Sequence, residues 1–152
     1  MIHFSKAKLS DVREMQDLVQ PYVDDGTILE RSADTIATNI RSYTLAFEDD
    51  ILVGFSALHI HTVKLAEIRS LIVDDKFRDK GIGKELVSLC LEEGKGLGLR
   101  EVLVLTYKQA FFEKLGFVEI PKESLPEHKI WADCIKCKYF PVCNEVSLIK
   151  KY

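Results

Sequence analysis

The middle of the chain carries a strand, a glycine-containing loop and a helix in direct succession, and this order limits the possible folds more than any other feature. Residues 66–73 (AEIRSLIV) have the pattern of a strand, and the loop FRDKGIGKEL follows at 77–86. Gly81 and Gly83 lack a β-carbon, so a ligand can approach the loop backbone closely. The helix that starts in this loop has apolar residues along one face. The succession predicts a sheet with helices packed against it.

The loop is predicted to bind an anion. The first amide N–H groups of a helix have no partner within the helix, and that end carries a partial positive charge. Arg78, Lys80 and Lys84 add positive charge at the same place. Together these features are typical of a cradle for a pyrophosphate. The alternative is that Gly81 and Gly83 only shape a tight turn between strand and helix.

Two common phosphate-binding motifs do not fit this loop. A dinucleotide-binding fingerprint requires a third glycine at position 86, where this chain has leucine. A P-loop requires four residues between its glycines and a serine or threonine after the lysine, where this chain has Glu85. A pyrophosphate bound here would therefore belong to another class of site.

The 152 residues predict one domain, spanning 1–152. The net charge of −3 with neutral histidines excludes a broadly basic nucleic-acid binder. No apolar run approaches the roughly 20 residues that a membrane-spanning helix needs. The first residues also lack the order of a signal peptide. We therefore expect a cytoplasmic protein that binds neither nucleic acid nor membrane.

The periodicity along the chain predicts the element order β-α-α-β-β-β-α-β-α-β-β. This order is typical of an α/β (α+β) domain with a mixed, mostly antiparallel sheet and helices on both faces. Several residues are predicted to begin or end helices, from their capping and helix-breaking properties. They are Ser10 and Pro21 for the first helix, Ser32 for the second, Gly94, Gly96 and Gly98 for the third, and Gly116 for the fourth.

Three stretches of the chain resemble one enzyme family. R-x-x-G-x-G at 78–83, opening a helix after an apolar strand, resembles the acetyl-coenzyme A loop of the GNAT N-acetyltransferases. Residues 66–73 resemble the fourth strand of that family, and FFEKLGF at 111–117 resembles the segment that closes its acyl-transfer domain. The resemblance implies transfer of an acetyl group from acetyl-coenzyme A to an amine. It also implies a homodimer, since members of the family are commonly dimers.

The same resemblance implies which residues contact coenzyme A. Backbone groups of the fourth strand would hold the pantetheine arm, and amide groups of the loop would bind the pyrophosphate. The strand positions are Leu71, Ile72 and Val73, and the loop positions are Arg78, Asp79, Lys80, Gly81, Ile82, Gly83 and Lys84.

Acetyl transfer to an amine also requires a base for the amine and a proton donor for the leaving thiolate. Glu67 lies 11 residues before the loop arginine, where histone-acetylating members of the family carry their general base. Its alternative role is that of a solvated or ion-paired glutamate on a strand. The family's frequent acid, a tyrosine, is replaced by Phe112, so Tyr107 or water is the candidate proton donor. The favoured alternative for Tyr107 is a partly buried aromatic residue with its hydroxyl in water. His59 and His61 are expected to lie on the surface or in core packing.

A second resemblance, within the family, concerns the acceptor amine. GTILERS at 26–32, residues 102–117 and LPEHK at 125–129 are similar to the acetyltransferase domain of bacterial N-acetylglutamate synthases, in a short stand-alone form. This similarity implies L-glutamate as the small-molecule amine. A dicarboxylate needs two anion sites, preferably including a bidentate arginine. Arg31 and Lys108 are the candidates, and the alternative for each is a solvated surface cation.

Other functions stay open at this point. Glu30 and Asn144 stand where the long synthases tend to carry arginines, so the partner of the second carboxylate is not identified. Asp24, Asp25 and Glu30 are compatible with a cationic acceptor, such as a protein N-terminus, lysine, a polyamine or an antibiotic. A non-catalytic acyl-coenzyme A sensor is a further alternative.

Three cysteines cluster near the end of the chain, with the spacing C-x2-C-x5-C. Cys134, Cys137 and Cys143, with His128, would provide four ligands for a structural zinc ion. The favoured alternative is a set of reduced thiols in a packed loop, so that no metal is expected. A redox switch between Cys134 and Cys137 is the third alternative.

Overall fold

The computed structural model describes residues 1–26, 28–121 and 146–152. Within these ranges the elements follow the predicted order. The strands are β1 (Ile2–Lys6), β2 (Tyr43–Glu48), β3 (Ile51–Ile60), β4 (Leu65–Val73), β5 (Glu101–Thr106), β6 (Val118–Ile120) and β7 (Val146–Lys151). The helices are α1 (Val12–Asp24), α2 (Ala33–Thr38), α3 (Ile82–Leu97) and α4 (Gln109–Glu113).

The strands form one mixed sheet in the order β1-β2-β3-β4-β5-β7-β6. The pairs β1–β2, β2–β3, β5–β7 and β6–β7 are antiparallel. The pair β4–β5 is parallel, with a register that runs from Leu65 opposite Glu101 to Glu67 opposite Leu103. The prediction of a mixed, mostly antiparallel sheet of the α/β class is confirmed.

The chain forms two compact units, which divide β4 between them. The first comprises Met1–His59 and Ile68–Glu93, and the second comprises Ile60–Glu67 and Gly94–Tyr152. The main core cluster of the first unit packs residues of α1 and α2 against β2, β3 and β4. In the second unit Leu65 and Leu103 are buried together. Full burial of one such large apolar side chain contributes about 1.5–3 kcal/mol.

The predicted end of α1 at Pro21 is wrong, because the helix continues to Asp24. A proline removes one N–H donor from a helix but leaves its own carbonyl free to accept. The Pro21 carbonyl accepts a hydrogen bond from the Asp25 N–H at 3.2 Å. A proline in the last turns of a helix is thus compatible with helical residues after it.

The two predicted serine caps have different outcomes. Ser10 does not cap α1, since it lies inside the 3₁₀ turn Leu9–Asp11 that precedes the helix. The Asp11 carboxylate stabilises this turn by accepting a backbone N–H three residues earlier, at 2.8 Å. Ser32 caps α2 as predicted, because its hydroxyl accepts the Thr35 N–H at 3.1 Å.

The glycines of α3 were predicted to end it together, and for two of them this is wrong. The helix continues through Gly94 and Gly96 to Leu97 and is followed by Gly98, which has a left-handed φ of 88°. A β-carbon on Gly94 would collide with the Tyr152 hydroxyl, so packing explains this glycine. Gly116 follows α4 with φ of 96°, the conformation predicted for it.

Gly54 on β3 offers a test of the close packing in the first unit. A β-carbon there would lie 2.8 Å from the Ile72 carbonyl oxygen and 3.4 Å from Val73. Gly54→Ala is expected to lower the free energy of unfolding by about 1–3 kcal/mol, because the backbone must move apart. Gly96→Ala is the matched control, since nothing lies within 4 Å of a β-carbon at that position.

Alanine has a higher helix propensity than glycine. Gly96→Ala is therefore expected to stabilise the protein by up to about 1 kcal/mol. Urea unfolding of the two variants measures both changes. Equal stability of Gly54→Ala and the unsubstituted protein would show that β3 and β4 are less tightly packed than described.

Cys90 on α3 predicts how stability depends on alkaline pH. Burial raises the pKa of its thiol from 9.0 to about 11, and its Sγ lies 3.2 Å from the Ser56 hydroxyl. The folded protein thus holds the proton more tightly than the unfolded chain. The resulting stabilisation is complete below pH 9 and is lost as the pH rises through about 11.

Cys90→Ala is expected to remove roughly 2–3 kcal/mol of this alkaline loss in the free energy of unfolding. Urea unfolding of both proteins at several pH values between 8 and 11 provides the measurement. Parallel loss of stability in the two proteins would contradict the prediction.

In the described part of the chain, no helix has both the length and the hydrophobicity needed to cross a lipid bilayer.

Candidate functional site

The loop between β4 and α3 has an open backbone with two left-handed residues. Asp79 has φ of 64° and Gly81 has φ of 79°, and α3 begins directly after them at Ile82. Gly81 is exposed, and no atom lies within 4 Å of the place where a β-carbon would be. Successive N–H groups in such turn conformations form anion-binding concavities. The loop therefore presents its backbone and the first turn of α3 to a ligand.

Arg78 connects this loop to the end of α1. Its guanidinium lies 2.9 Å from the Asp75 carboxylate and donates to the Tyr22 hydroxyl at 3.2 Å. The Tyr22 hydroxyl in turn donates to Asp75 at 3.0 Å, and burial with this bond raises the pKa of Tyr22. Lys80 lies 5.2 Å above the Phe77 ring. These contacts fix the loop while the positive charges stay exposed.

The side chains of the last residues of β4 pack against buried clusters of the protein. Leu71 and Val73 pack against a buried cluster that includes Ile82 and Leu86 of α3. Ile72 points into the main core cluster and is 6% exposed. With their side chains packed, these three positions can contact a ligand through the backbone, as the pantetheine prediction requires.

Ser70 interrupts the alternation of β4. Its φ of 56° is left-handed, a conformation that costs a non-glycine residue about 1 kcal/mol or more. Neighbouring residues of a regular strand point to opposite faces, yet Arg69 and Ser70 both line the same cleft. A local irregularity of this kind redirects a side chain and is common beside active sites.

This polar cleft encloses about 270 Å³, part of which is open to solvent. Its residues come from the segment between α1 and β2 and from the strands β2, β3 and β4. They are Arg31, Asn39, Ser42, Tyr43, Ala57, His59, Arg69 and Ser70. Among these lining residues two are arginines and none is acidic. The cleft is therefore suited to an anion.

A second, apolar cleft shares part of its wall with the polar cleft, and its volume of about 390 Å³ includes space open to solvent. Arg31, Tyr43 and Ser70 line both. The other lining residues of the apolar cleft come from α1, α2, β3 and the loop after α1, and they are Met15, Val19, Ile28, Leu29, Ile36 and Phe55. A ligand with an apolar part and a charged part would fit the two together.

Tyr43 lies at the shared wall and is 5% exposed. Burial raises the pKa of its hydroxyl, and the charges of Arg31 and Arg69 and a hydrogen bond with Ser70 act in the opposite direction. Both guanidinium groups are therefore close enough to one neutral hydroxyl to influence it electrostatically.

Glu67 and His61 form a buried pair within the second unit. The Glu67 carboxylate lies 2.9 Å from His61 Nε2, and their side chains are 4% and 3% exposed. An Nε2–H that donates to an ionised carboxylate would fix the orientation of both groups. His61 follows the end of β3, as predicted, but its side chain bonds to the candidate base instead of only packing.

The model of the acetyltransferase (GNAT) family matches residues 11–117, which include the loop and both clefts. The chain belongs to this family. It is therefore an N-acetyltransferase, and the predicted family is confirmed.

This GNAT protein spans different shares of the length of its named relatives. An uncharacterised N-acetyltransferase of Chlorobaculum tepidum is 39% identical over 95% of this chain and 92% of its own length. The amino-acid acetyltransferase of Mycobacterium tuberculosis is 34% identical over 76% of this chain and 67% of its own length. That of Aeromonas salmonicida is 29% identical over 79% of this chain, which spans 28% of that enzyme.

Solved structures share the fold of this GNAT protein. N-acetylglutamate synthase of Neisseria gonorrhoeae, complexed with coenzyme A and N-acetyl-glutamate, has a TM-score of 0.86 at 22% identity, over 99% of this chain and 35% of that one. A Mycobacterium tuberculosis protein in complex with coenzyme A and a second ligand has a TM-score of 0.84 at 26% identity, over 99% of both chains.

The remaining predicted residues of this GNAT protein lie elsewhere. Tyr107 follows β5 and is 59% exposed. Lys108 is exposed at the start of α4, and its N–H donates to the Thr106 hydroxyl at 2.9 Å. Neither residue lines the two clefts. The zinc candidates Cys134, Cys137, Cys143 and His128 lie outside the described residues, and within those no cluster of metal-binding side chains occurs.

Of the residues that line the clefts of this GNAT protein, sequence reasoning named Arg31 as a substrate contact but not Arg69, Tyr43 or Ser70. Arg69 had one usable signal, a charged side chain in an otherwise apolar strand. Tyr43 had none, because a tyrosine at the start of a strand is ordinary. The conformation of Ser70 was also invisible, since serine has no preference for left-handed backbone.

Proposed function

We propose that this enzyme transfers the acetyl group of acetyl-coenzyme A to the amine of L-glutamate, which gives N-acetylglutamate. The observation that carries the proposal is the polar cleft, which contains Arg31 and Arg69 and has no acidic residue among its described lining. Such a cleft favours an anionic acceptor over the cationic ones that Asp24, Asp25 and Glu30 left open. The product would place the enzyme in arginine biosynthesis, as a cytoplasmic homodimer.

Acetyl-coenzyme A is assigned to the glycine loop and to the end of β4. The residues present fit it, because Gly81 leaves open space at the backbone and α3 begins at the next residue. The amides from Arg78 to Lys84 would bind the pyrophosphate. Backbone groups of Leu71, Ile72 and Val73 would bind the pantetheine arm. The solved relatives from Neisseria and Mycobacterium contain coenzyme A.

The chemistry assigned to the chain is acyl transfer to nitrogen. The amine nitrogen forms a bond to the thioester carbonyl carbon, and the carbon–sulfur bond breaks. Glu67 accepts the proton that the amine loses. Because its side chain is 4% exposed, we expect this transfer to pass through one water molecule. Tyr107 or water returns a proton to the leaving thiolate.

An amino acid with an apolar side chain is the second candidate acceptor. The apolar cleft beside Arg31 supports it, because an aliphatic side chain could enter that cleft while its carboxylate binds the arginine. Neighbouring relatives named amino-acid acetyltransferase are compatible with either acceptor.

Thiol release from acetyl-coenzyme A tests the proposal, with L-glutamate, L-glutamine, L-leucine, L-lysine, spermidine and a peptide as acceptors. We expect saturable turnover with glutamate and a higher kcat/KM than with any other acceptor. Preference for leucine would support the second candidate, and preference for lysine, spermidine or peptide would contradict both. Light scattering after size-exclusion chromatography measures the molar mass and so tests whether the protein is a dimer.

A further inference from the structure

We infer that Arg69 and Arg31 bind the two carboxylates of the acceptor separately, Arg69 the α-carboxylate and Arg31 the side-chain carboxylate. The inference rests on the proposed function and identifies the second anion partner that sequence reasoning did not find. It assigns no substrate contact to Lys108, which lines neither cleft.

The geometry that supports this inference is that both arginines line the polar cleft. Arg31 reaches the polar cleft from the loop between α1 and α2, and Arg69 reaches it from β4. Both are half-buried, so water screens their charges less than at an open surface. Tyr43 and Ser70 line the same cleft and offer hydroxyl groups for the remaining carboxylate lone pairs.

The position of each arginine along the chain decides which carboxylate it takes. In an α-amino acid the α-carboxylate is one carbon away from the reacting amine. Arg69 is on β4, two residues after the candidate base Glu67 and one residue before the left-handed Ser70. We assign the side-chain carboxylate, which is farther from the amine, to Arg31 on the loop between α1 and α2. Arg31 also lines the apolar cleft, where the methylene groups of the acceptor would be shielded from water.

The roles assigned to Arg31 and Arg69 can be tested separately with three acceptors, L-glutamate, L-glutamine and 4-aminobutyrate. L-glutamine lacks the side-chain charge of glutamate, and 4-aminobutyrate lacks its α-carboxylate. Arg31→Gln is expected to lower kcat/KM for glutamate about 10- to 100-fold. For glutamine, kcat/KM is expected to stay within about threefold of the value for the unsubstituted enzyme. Arg69→Gln is expected to lower kcat/KM for both amino acids by a similar factor and to leave 4-aminobutyrate almost unchanged. Arg69→Lys should recover part of the loss, because it keeps the charge without the bidentate geometry.

Arg41→Gln is the matched control, since Arg41 is an exposed arginine of the same segment and lines neither cleft. It is expected to leave all three acceptors unchanged. Thermal unfolding of each variant shows whether it is folded. If Arg69→Gln lowers kcat/KM equally for glutamate and 4-aminobutyrate, or for neither, the assignment of Arg69 is wrong.

Direct binding separates this inference from the proposed function. Glutarate has two carboxylates and no amine, and butyrate has one carboxylate. Calorimetric titration in the presence of coenzyme A is expected to show tighter binding of glutarate, with the difference lost in Arg31→Gln and Arg69→Gln. Equal binding of glutarate and butyrate would overturn the inference even if glutamate is acetylated. Selective glutarate binding without glutamate turnover would overturn the proposed function alone.

Discussion

Glutamine in place of Glu67 is expected to lower kcat with the best acceptor about 100- to 10,000-fold, the range that a general base contributes. Glutamine keeps the size of the side chain and can still accept the hydrogen bond that His61 Nε2 makes at 2.9 Å. The fold and coenzyme A binding are therefore expected to persist. Steady-state kinetics with thiol release, and calorimetric titration with coenzyme A, measure the two quantities.

The pH dependence of Glu67→Gln separates a base from a structural glutamate. If Glu67 removes a proton from the amine, the variant depends on the small fraction of amine that is already neutral. Its kcat/KM should then rise about tenfold per pH unit toward the pKa of the amine, more steeply than that of the unsubstituted enzyme. Glu92→Gln on the exposed part of α3 is the control and should change neither rate nor slope. An unchanged kcat in Glu67→Gln would leave the glutamate with a structural role.

Gly83→Asp is expected to weaken coenzyme A binding at least about 100-fold. Gly83 lies in the first turn of α3, where the pyrophosphate is assigned. A carboxylate there would face an anion, and such like-charge contacts cost several kcal/mol. An acidic residue in the first turn of a helix otherwise stabilises the helix. Loss of binding in a variant that thermal unfolding shows to be folded would therefore reflect the ligand site.

Gly96→Asp provides the matched control at the other end of the same helix. A β-carbon at Gly96 meets no atom within 4 Å, so the new side chain has room. Its charge near the helix C-terminus costs about 0.3–1 kcal/mol of stability. Coenzyme A binding is expected to be unchanged, and calorimetric titration of both variants makes the comparison. Equal affinity of Gly83→Asp and the unsubstituted protein would show that the pyrophosphate binds elsewhere.

The order of the elements could be predicted because it depends on local periodicity. Residues 102–104 form a continuous apolar run and are buried on β5, and the glycine loop precedes α3 where expected. The helix ends were predicted less well, because tertiary contacts decide some of them. Gly94 is inside α3 since Tyr152, 58 residues later, packs against it. No local pattern contains that information.

The candidate site was predictable only where a residue type has a specific chemical use. Glu67 was a candidate because the family resemblance implies a general base at this spacing, and Arg31 because the resemblance places its loop over the acceptor site, where a dicarboxylate needs a cation. The pairing of Arg31 with Arg69 could not be predicted, since the two residues are 38 positions apart and the left-handed Ser70 redirects the strand. The burial of Glu67 against His61 likewise depends on how the chain turns between β3 and β4.

The wall shared by the polar and apolar clefts has a consequence for how acceptor preference can evolve. Arg31, Tyr43 and Ser70 belong to both clefts, whereas Met15, Ile28 and similar residues belong to the apolar one alone. Substitutions confined to the apolar cleft would change which side chain fits and leave carboxylate recognition intact. A duplicated copy of this gene could thus acquire a new amino acid as its acceptor through a few substitutions in the apolar cleft. The acetyl donor and its binding loop would stay the same.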